Sequence, residues 1–216
     1  MIKKLITLFK IGRKVAKSDI LNIASKFKKP PLAITILFQL LSFSFSKKEQ
    51  SYLNKDEGER LSSSLESLGT TFIKLGQFLA TRPDIIGEEL SKKLENLQDK
   101  LPPFSLIQAK EIIKNDLGDI TYNSIINLTE PVAAASIAQV HKAQINDNGT
   151  IKDVAIKILR PNIKKIFNEE IDAMMLFAFI IESFVKKTKR LKLVEVVFLL
   201  KEITNLEMDL RFEAAA

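Results

Sequence analysis

Apolar and polar positions follow helical spacing over most of the first half of the chain. An apolar run after the Pro30-Pro31 pair predicts a helix over Leu32–Phe45. Across Leu61–Leu79 apolar side chains return every three or four residues, which predicts one amphipathic helix. Pro83 ends this helix, because proline disfavours a helical conformation at the residue before it. A further short helix is predicted over Gly87–Leu97.

A capping box and a change of composition mark the middle of the chain. Ser105 followed by Gln108 predicts a helix start, and Gly118 predicts its end. Beyond it β-branched residues become frequent, and Asn148-Gly149 offers the positive φ of a tight hairpin turn. Strands are therefore predicted over Ile125–Leu128, Gln139–Ile145 and Ile151–Leu159.

The last part of the chain contains neither glycine nor proline after Pro161. Together with apolar positions at a 3.6-residue period, this predicts two long helices broken near Lys186–Arg190. The second is expected to begin at about Leu193 and to continue to the last residue. The predicted order of elements is therefore helices, a small antiparallel sheet and helices again, which is typical of an α+β fold.

The composition is that of a folded protein rather than a disordered one. Hydrophobic residues make up 46% of the chain and charged residues 27%. Its length of 216 residues is enough for one domain or one and a half. Cysteine is absent, which excludes disulfides, thiolate metal sites and a thiol nucleophile. With His141 as the single histidine, a Ser-His-Asp triad and a multi-histidine metal site are not expected, and we interpret His141 as structural.

The net charge of +7 is confined to the beginning of the sequence. Residues 1–30 carry nine basic side chains against Asp19, so the remainder is close to neutral. A nucleic-acid-binding domain would distribute its basic residues over a folded face, so nucleic acid is not an expected partner.

The basic segment allows two interpretations. Its apolar residues, among them Ile6 and Phe9, mixed with cations are typical of a helix that lies on an anionic membrane surface. A solvated, partly frayed basic terminus explains the same pattern equally well. Lys10 interrupts the apolar run too early for a secretory signal. No apolar stretch reaches the roughly 20 residues of a membrane span, so a cytoplasmic protein, peripheral on the inner membrane if the helix binds, is expected.

The predicted strand with Val154-Ala155-Ile156-Lys157 carries candidate chemistry. Alternation places Ala155 and Lys157 on one face, where a nucleotide site would offer a cation to phosphates and room for a purine. A solvated strand lysine fits the same four residues. Between the first two strands lies Ala133-Ala134-Ala135-Ser136, where a kinase carries its glycine-rich loop. Alanine lacks glycine's freedom at positive φ, and a helical turn or a tight packing contact explains this run equally well.

These features together resemble the UbiB family of atypical protein-kinase-like proteins, which is associated with ubiquinone biosynthesis. Leu159-Arg160-Pro161 after the lysine strand agrees with that family, as does Leu97-Gln98-Asp99. Lys74-Leu75-Gly76-Gln77 resembles the family's K-x-G-Q motif. Glu207-Met208-Asp209 with Glu213 resembles its E-x-D motif followed by the helix C glutamate. The motifs occur in the family's order over residues 60–216.

The resemblance implies a role for each matching residue. Lys157 would pair with phosphates and Glu213 would hold it, while Ala133, Ala134, Ala135 and Ser136 would replace the glycine-rich loop beside Ala155. Lys74 and Gln77 would belong to an N-terminal extension that covers the site and blocks protein substrates, and Glu207 and Asp209 would contact that extension.

Helix periodicity tests these roles only in part. On a regular helix Asp209 and Glu213 share a face, whereas Glu207 and Asp209 lie about 200° apart. The roles of Glu207 and Asp209 therefore require either that the helix is irregular there or that the two residues face different partners. The apolar stripe of the Lys74 helix lies opposite Lys74 and Gln77, which a solvated polar face explains as well.

The resemblance also implies ATP with Mg²⁺ as cofactors of the whole protein, with no metal ligands in this chain.

We expect residues 1–59 to form a basic leader and apolar helix, 60–119 a helical extension and 120–216 a kinase-like small lobe without its C-terminal lobe. Lacking a catalytic loop and a metal-binding aspartate, such an N-terminal portion is expected to be inactive alone. Expected partners are nucleotide and an anionic membrane surface, or lipids and proteins of the quinone pathway. The alternative is a non-catalytic helical module that binds membrane or lipid through residues 1–45.

Overall fold

The computed structural model describes residues 2–17, 57–95, 97, 101–184 and 190–214. The helix predicted over 32–45, most of the predicted break at 186–190, and positions 98 and 99 lie outside the described residues. The chain forms two compact units, each built from two separate segments. The first comprises residues 1–98 and 165–206, and the second comprises residues 99–164 and 207–216.

Helices before residue 98 build the first part of unit one. Those within the described residues are α1 (Ile2–Lys17), α2 (Glu57–Leu68), α3 (Thr70–Ala80), α4 (Pro83–Ile86) and α5 (Glu88–Leu94). Helices α2, α3 and α5 pack on one another, and the buried residues there include Leu65, Leu68, Phe72, Ile73 and Leu94. On α1, the Lys14 ammonium donates to the Leu68 carbonyl at 3.4 Å.

The single helix predicted over Leu61–Leu79 is wrong, because the chain breaks it at Gly69. That residue has φ 110° and ψ −177°, a conformation open essentially to glycine alone. The apolar period continues across the break, since Leu68 and Phe72 both remain buried. A prediction from periodicity alone therefore joins α2 and α3 into one helix, although the backbone separates them at Gly69.

Two long helices follow Pro161, as predicted: α7 (Ile163–Phe184) and α8 (Leu193–Glu207). The Glu182 carboxylate of α7 accepts a hydrogen bond from the Val194 amide at 3.2 Å, which satisfies a donor in the first turn of α8. The prediction that the second helix continues to the last residue is wrong, because α8 ends at Glu207 and a separate short helix, α9 (Leu210–Ala214), follows. None of the helices within the described ranges is both long and apolar enough to cross a bilayer.

The second unit contains an antiparallel sheet of β1 (Ile125–Ile126), β2 (Pro131–Ala134), β3 (Ala138–Asp147) and β4 (Thr150–Leu159). Strand β4 pairs with the whole of β3, and β1 and β2 follow one another along the other edge of β3. Asn148 and Gly149, with φ 52° and 91°, form the predicted turn between β3 and β4. Strand β2 was not predicted, because alanine is uncommon in strands.

Helix α6 (Leu106–Ser124) covers one face of this sheet. Ser105 caps it as predicted, with its hydroxyl oxygen accepting from the Gln108 amide at 3.3 Å. The backbone leaves helical geometry at Gly118 (φ 78°), but a second helical segment continues to Ser124, beyond the predicted end. Buried Ala109 and Ile113 of α6 pack with Ile158 of β4, which gives this unit its core. The α+β class is confirmed.

Candidate nucleotide site

The face of the sheet that does not carry the α6 core presents a row of small side chains beside a lysine. Lys157 pairs across the strands with Val140, and Val140 pairs with Ala133, so these three residues share a face. Ala155 lies on the same face of β4 and is exposed, as is Ala133. Ile156 and Ile158 point to the core, which confirms the predicted alternation.

Lys157 forms an ion pair with Glu213 of α9, 56 residues further along the chain. Its ammonium donates to Oε1 at 2.7 Å and to Oε2 at 2.5 Å. The side chains are 35% and 59% exposed, and exposed pairs of this kind contribute only about 0–1 kcal/mol to stability. The main effect of the pair is therefore positional, since it fixes where the lysine nitrogen lies.

The alanine-rich segment forms a strand and a tight turn, so its interpretation as a helical turn is wrong. Strand β2 ends at Ala134, and the Ala135 amide then donates to the Ala138 carbonyl at 2.8 Å to close the β2–β3 hairpin. This hairpin turn is the place of the glycine-rich loop in a kinase. Ala134 and Ala135 are half-buried, whereas Ser136 is fully buried and presents no hydroxyl to solvent.

The segment with Glu207 and Asp209 is irregular. Helix α8 ends at Glu207, and α9 begins at Leu210. Asp209 lies between them, and its Oδ1 accepts from the Arg211 amide at 3.2 Å. The prediction that Asp209 and Glu213 share a helix face is therefore wrong, because Asp209 precedes α9 and caps its first turn.

Asp209 is also held by the Arg211 side chain, a partner that sequence reasoning missed. The guanidinium donates to Oδ1 at 2.8 Å and to Oδ2 at 2.5 Å, which lowers the pKa of Asp209 to about 2. Because the folded-state pKa lies below the ordinary value of 3.8, this pairing is fully present above that value and is lost only as the pH falls through about 2. Asp209 is thus ionised at neutral pH. The i, i+2 spacing of aspartate and arginine at a helix start was the available signal.

The K-x-G-Q residues lie on α3, in the first unit. Lys74 and Gln77 are half-buried rather than fully solvated. A Cβ on Gly76 would lie 2.5 Å from a methyl group of Leu97 and 2.8 Å from one of Leu65, so glycine permits close packing at this point of the helix. Lys157 belongs to the second unit, and the roles of Lys74 and Gln77 stay predictions.

A buried polar network lies on the core face of the sheet. The Gln139 side chain accepts from the Phe104 amide at 2.9 Å and donates to the Phe104 carbonyl at 3.1 Å. Its amide nitrogen also lies 2.9 Å from His141 Nε2, while His141 Nδ1 lies 2.7 Å from the Thr129 carbonyl. Since a carbonyl only accepts, Nδ1 carries the proton and Nε2 accepts from Gln139. Fully buried His141 is therefore a structural residue, as interpreted from the sequence.

Comparison with known proteins identifies the family. A family model for the ABC1 atypical kinase-like domain matches residues 96–216. The chain belongs to this family. The match includes the sheet, the alanine-rich turn, Lys157 and Glu213, so the kinase-like small lobe predicted from the sequence agrees with both the fold and the family.

Three relatives have the name "Probable protein kinase UbiB". The protein of Marinobacter nauticus is 40% identical over 73% of this chain and 28% of its own length. That of Vibrio cholerae serotype O1 is 34% identical over 99% of this chain and 38% of its own length, and that of Shewanella baltica is 36% identical over 86% and 34%. The chain thus spans about a third of these relatives. No solved structure matches it.

Proposed function

We propose that the small lobe of this ABC1-family chain binds a magnesium nucleotide as part of an ATP-dependent regulator of ubiquinone biosynthesis. The observation that carries the proposal is the ion pair of Lys157 and Glu213 on the open face of the sheet. A lysine on an antiparallel strand, held by a helix glutamate, is the arrangement with which kinases contact phosphates.

The surroundings of the lysine suit a nucleotide. Lys157 would donate to phosphate oxygens, and Glu213 would keep its nitrogen in place when the site is empty. Exposed Ala133 and Ala155 leave room on this face for a planar base, which larger side chains would fill. The β2–β3 turn would lie over the phosphates.

The magnesium ion, when bound, neutralises phosphate charge. Within the described ranges, no group of three or more aspartate, glutamate, histidine or cysteine side chains forms a cluster suited to a metal. The described residues therefore offer a phosphate partner, and we assign none of them to the metal.

The remaining motif residues receive family roles within the same proposal. Lys74 and Gln77 of α3 would belong to the extension that covers the nucleotide, and Glu207 and Asp209 would contact that extension. The irregular backbone between α8 and α9 supports this assignment, because it frees Glu207 and Asp209 from opposite faces of one helix.

Binding of MgATP to the full-length gene product, measured by isothermal titration calorimetry, tests the proposal. Lys157→Met should abolish detectable binding, because it removes the cation while keeping the length of the side chain. Lys152→Met is the matched control, since Lys152 lies on the same strand and pairs with Asp147 at the far end of the hairpin. Equal affinities in the wild type and the Lys157→Met variant would contradict the proposal.

A second function, attachment to an anionic membrane surface, is favoured by α1. Ile6 and Phe9 are 49% and 54% exposed, and Lys10 is exposed within one turn of both. Exposed apolar side chains beside cations are typical of helices that lie in the lipid headgroup region.

Vesicle flotation separates this function from the first. The wild type should float with vesicles containing phosphatidylglycerol and less with pure phosphatidylcholine, and an Ile6→Ser, Phe9→Ser double variant should lose flotation. Undiminished flotation of the double variant, or of a chain lacking residues 1–30, would remove α1 from membrane attachment. Nucleotide binding by the double variant should equal that of the wild type.

A further inference from the structure

Arg160, directly after β4, connects the alanine-rich turn to a second segment. Its Nε donates to the Ala135 carbonyl at 2.9 Å, and its backbone amide donates to the Ile137 carbonyl at 2.9 Å. The two terminal nitrogens donate to the carbonyls of Pro102 at 2.9 Å and Leu101 at 3.2 Å. One residue thus bonds two carbonyls of the turn and two of the segment before α6.

The chemistry of arginine suits this connection. Its guanidinium is planar and presents donors in a fixed fork, so three carbonyls from two segments can be bonded at once with little loss of side-chain entropy. Bonds from a charged donor are also about twice as strong as neutral ones. Lysine offers a single point of charge on a flexible chain and cannot reproduce the three directions.

The backbone on both sides of this connection is stiff. Arg160 precedes Pro161 and Leu101 precedes Pro102, and a residue before proline is restricted to extended conformations. The side chain of Arg160 therefore starts from a fixed direction and bonds to a segment that is itself restricted. The carbonyls of Ala135 and Ile137 are turned toward Arg160, because it donates a hydrogen bond to each of them.

We propose that Arg160 is a positioning residue that holds the alanine-rich turn in its binding conformation before nucleotide arrives. The inference rests on the proposed nucleotide site and adds to it how the turn is ordered without glycine. A turn ordered in advance lowers the conformational entropy that nucleotide binding must remove. Without the Arg160 contacts, nucleotide binding itself must order the turn, and this cost weakens the binding.

Hydrogen–deuterium exchange of the full-length gene product, with and without MgATP, tests the positioning role. In Arg160→Lys without nucleotide, the amides of residues 135–138 should exchange at least about tenfold faster than in the wild type, and saturating MgATP should restore their protection. The amides of residues 147–150, in the opposite hairpin turn, should be unchanged. The dissociation constant for MgATP should rise by about fivefold.

The control is Arg82→Lys, which makes the same chemical change where arginine pairs with Asp84 on the surface of the other unit. It should leave exchange in the turn and MgATP affinity at wild-type values. Arg160→Gln, which retains one planar amide, serves as a second variant if Arg160→Lys does not fold. Unchanged exchange of residues 135–138 in folded Arg160→Lys would overturn the proposal, as would loss of protection throughout the chain in both variants.

The outcomes separate this inference from the proposed function. If Lys157→Met abolishes MgATP binding but Arg160→Lys changes neither exchange nor affinity, the nucleotide site stands and the positioning role is overturned. If the wild type does not bind MgATP, the proposed function fails. In that case faster exchange of residues 135–138 in Arg160→Lys still supports the ordering of the turn by Arg160, and unchanged exchange overturns it.

Discussion

At the scale of single residues, Gln139 has a structural role that the sequence did not reveal. It lies on the core face of β3, only 1% exposed, and its amide group is bonded to both backbone groups of Phe104 and to His141. A glutamine in a strand gives no sign of this, because its partner Phe104 is 35 residues away in sequence. The structural role of His141, in contrast, followed from its being the only histidine.

Gln139→Leu should lower the free energy of unfolding by about 3 kcal/mol. The substitution keeps the volume but leaves the amide and carbonyl of Phe104 and the Nε2 of His141 without this partner. A buried group left unpaired costs about 1–3 kcal/mol, and the lower end applies here because Phe104 is only half-buried. Urea unfolding followed by circular dichroism measures the change. Gln144→Leu on the same strand removes side-chain hydrogen bonds with Asn127 and Asp153 at exposed positions, where water replaces the lost partner, so it should cost about 1 kcal/mol or less. A loss below about 1 kcal/mol at Gln139 would contradict the network as the reason for its burial.

At the scale of elements, the sequence predicted which segments are helices and strands better than where they end. Helices α7 and α8, strand β4, the Ser105 cap and the Asn148-Gly149 turn were all expected, because each has a strong local signal. One missed feature, the break at Gly69, is a backbone event inside a continuing pattern. Leu68 and Phe72 are buried on either side of it, so the apolar period stays intact and cannot report the break.

Gly69→Ala tests the first of these breaks. Nothing lies within 4 Å of the position where a Cβ would be added, so the expected loss comes from backbone conformation alone. At φ 110° and ψ −177° it should amount to about 1–3 kcal/mol in urea unfolding. Glu66→Ala, at an exposed position of α2, should change stability by about 0.5 kcal/mol or less. Equal stability of Gly69→Ala and the wild type would mean that α2 and α3 do not require this break.

At the scale of the whole molecule, motif order was more informative than composition. Lys157 and Glu213 are 56 residues apart, and their pairing was expected only because the family resemblance assigned both. The domain boundaries expected at 59/60 and 119/120 stay predictions. The compact units of the structure each combine two segments that are distant in sequence. A unit of this kind depends on long-range contacts that leave no mark on local composition.

The two functional proposals depend on different parts of the molecule. Nucleotide binding depends on the face with Ala133, Ala155 and Lys157, and membrane attachment depends on exposed residues of α1. The experiments on one therefore leave the other unaffected. Arg160 connects the first proposal to the backbone order of the alanine-rich turn.

The most direct test of the account is chemical labelling with an acyl phosphate of ATP. A lysine nitrogen beside the bound phosphates attacks the acyl carbon, forms an amide and releases ATP, so peptide mapping by mass spectrometry identifies the phosphate-contacting lysine. The account predicts acylation of Lys157 that excess MgATP suppresses, with Lys152 on the same strand unlabelled. Labelling confined to other lysines, or labelling of Lys157 that MgATP does not suppress, would contradict it.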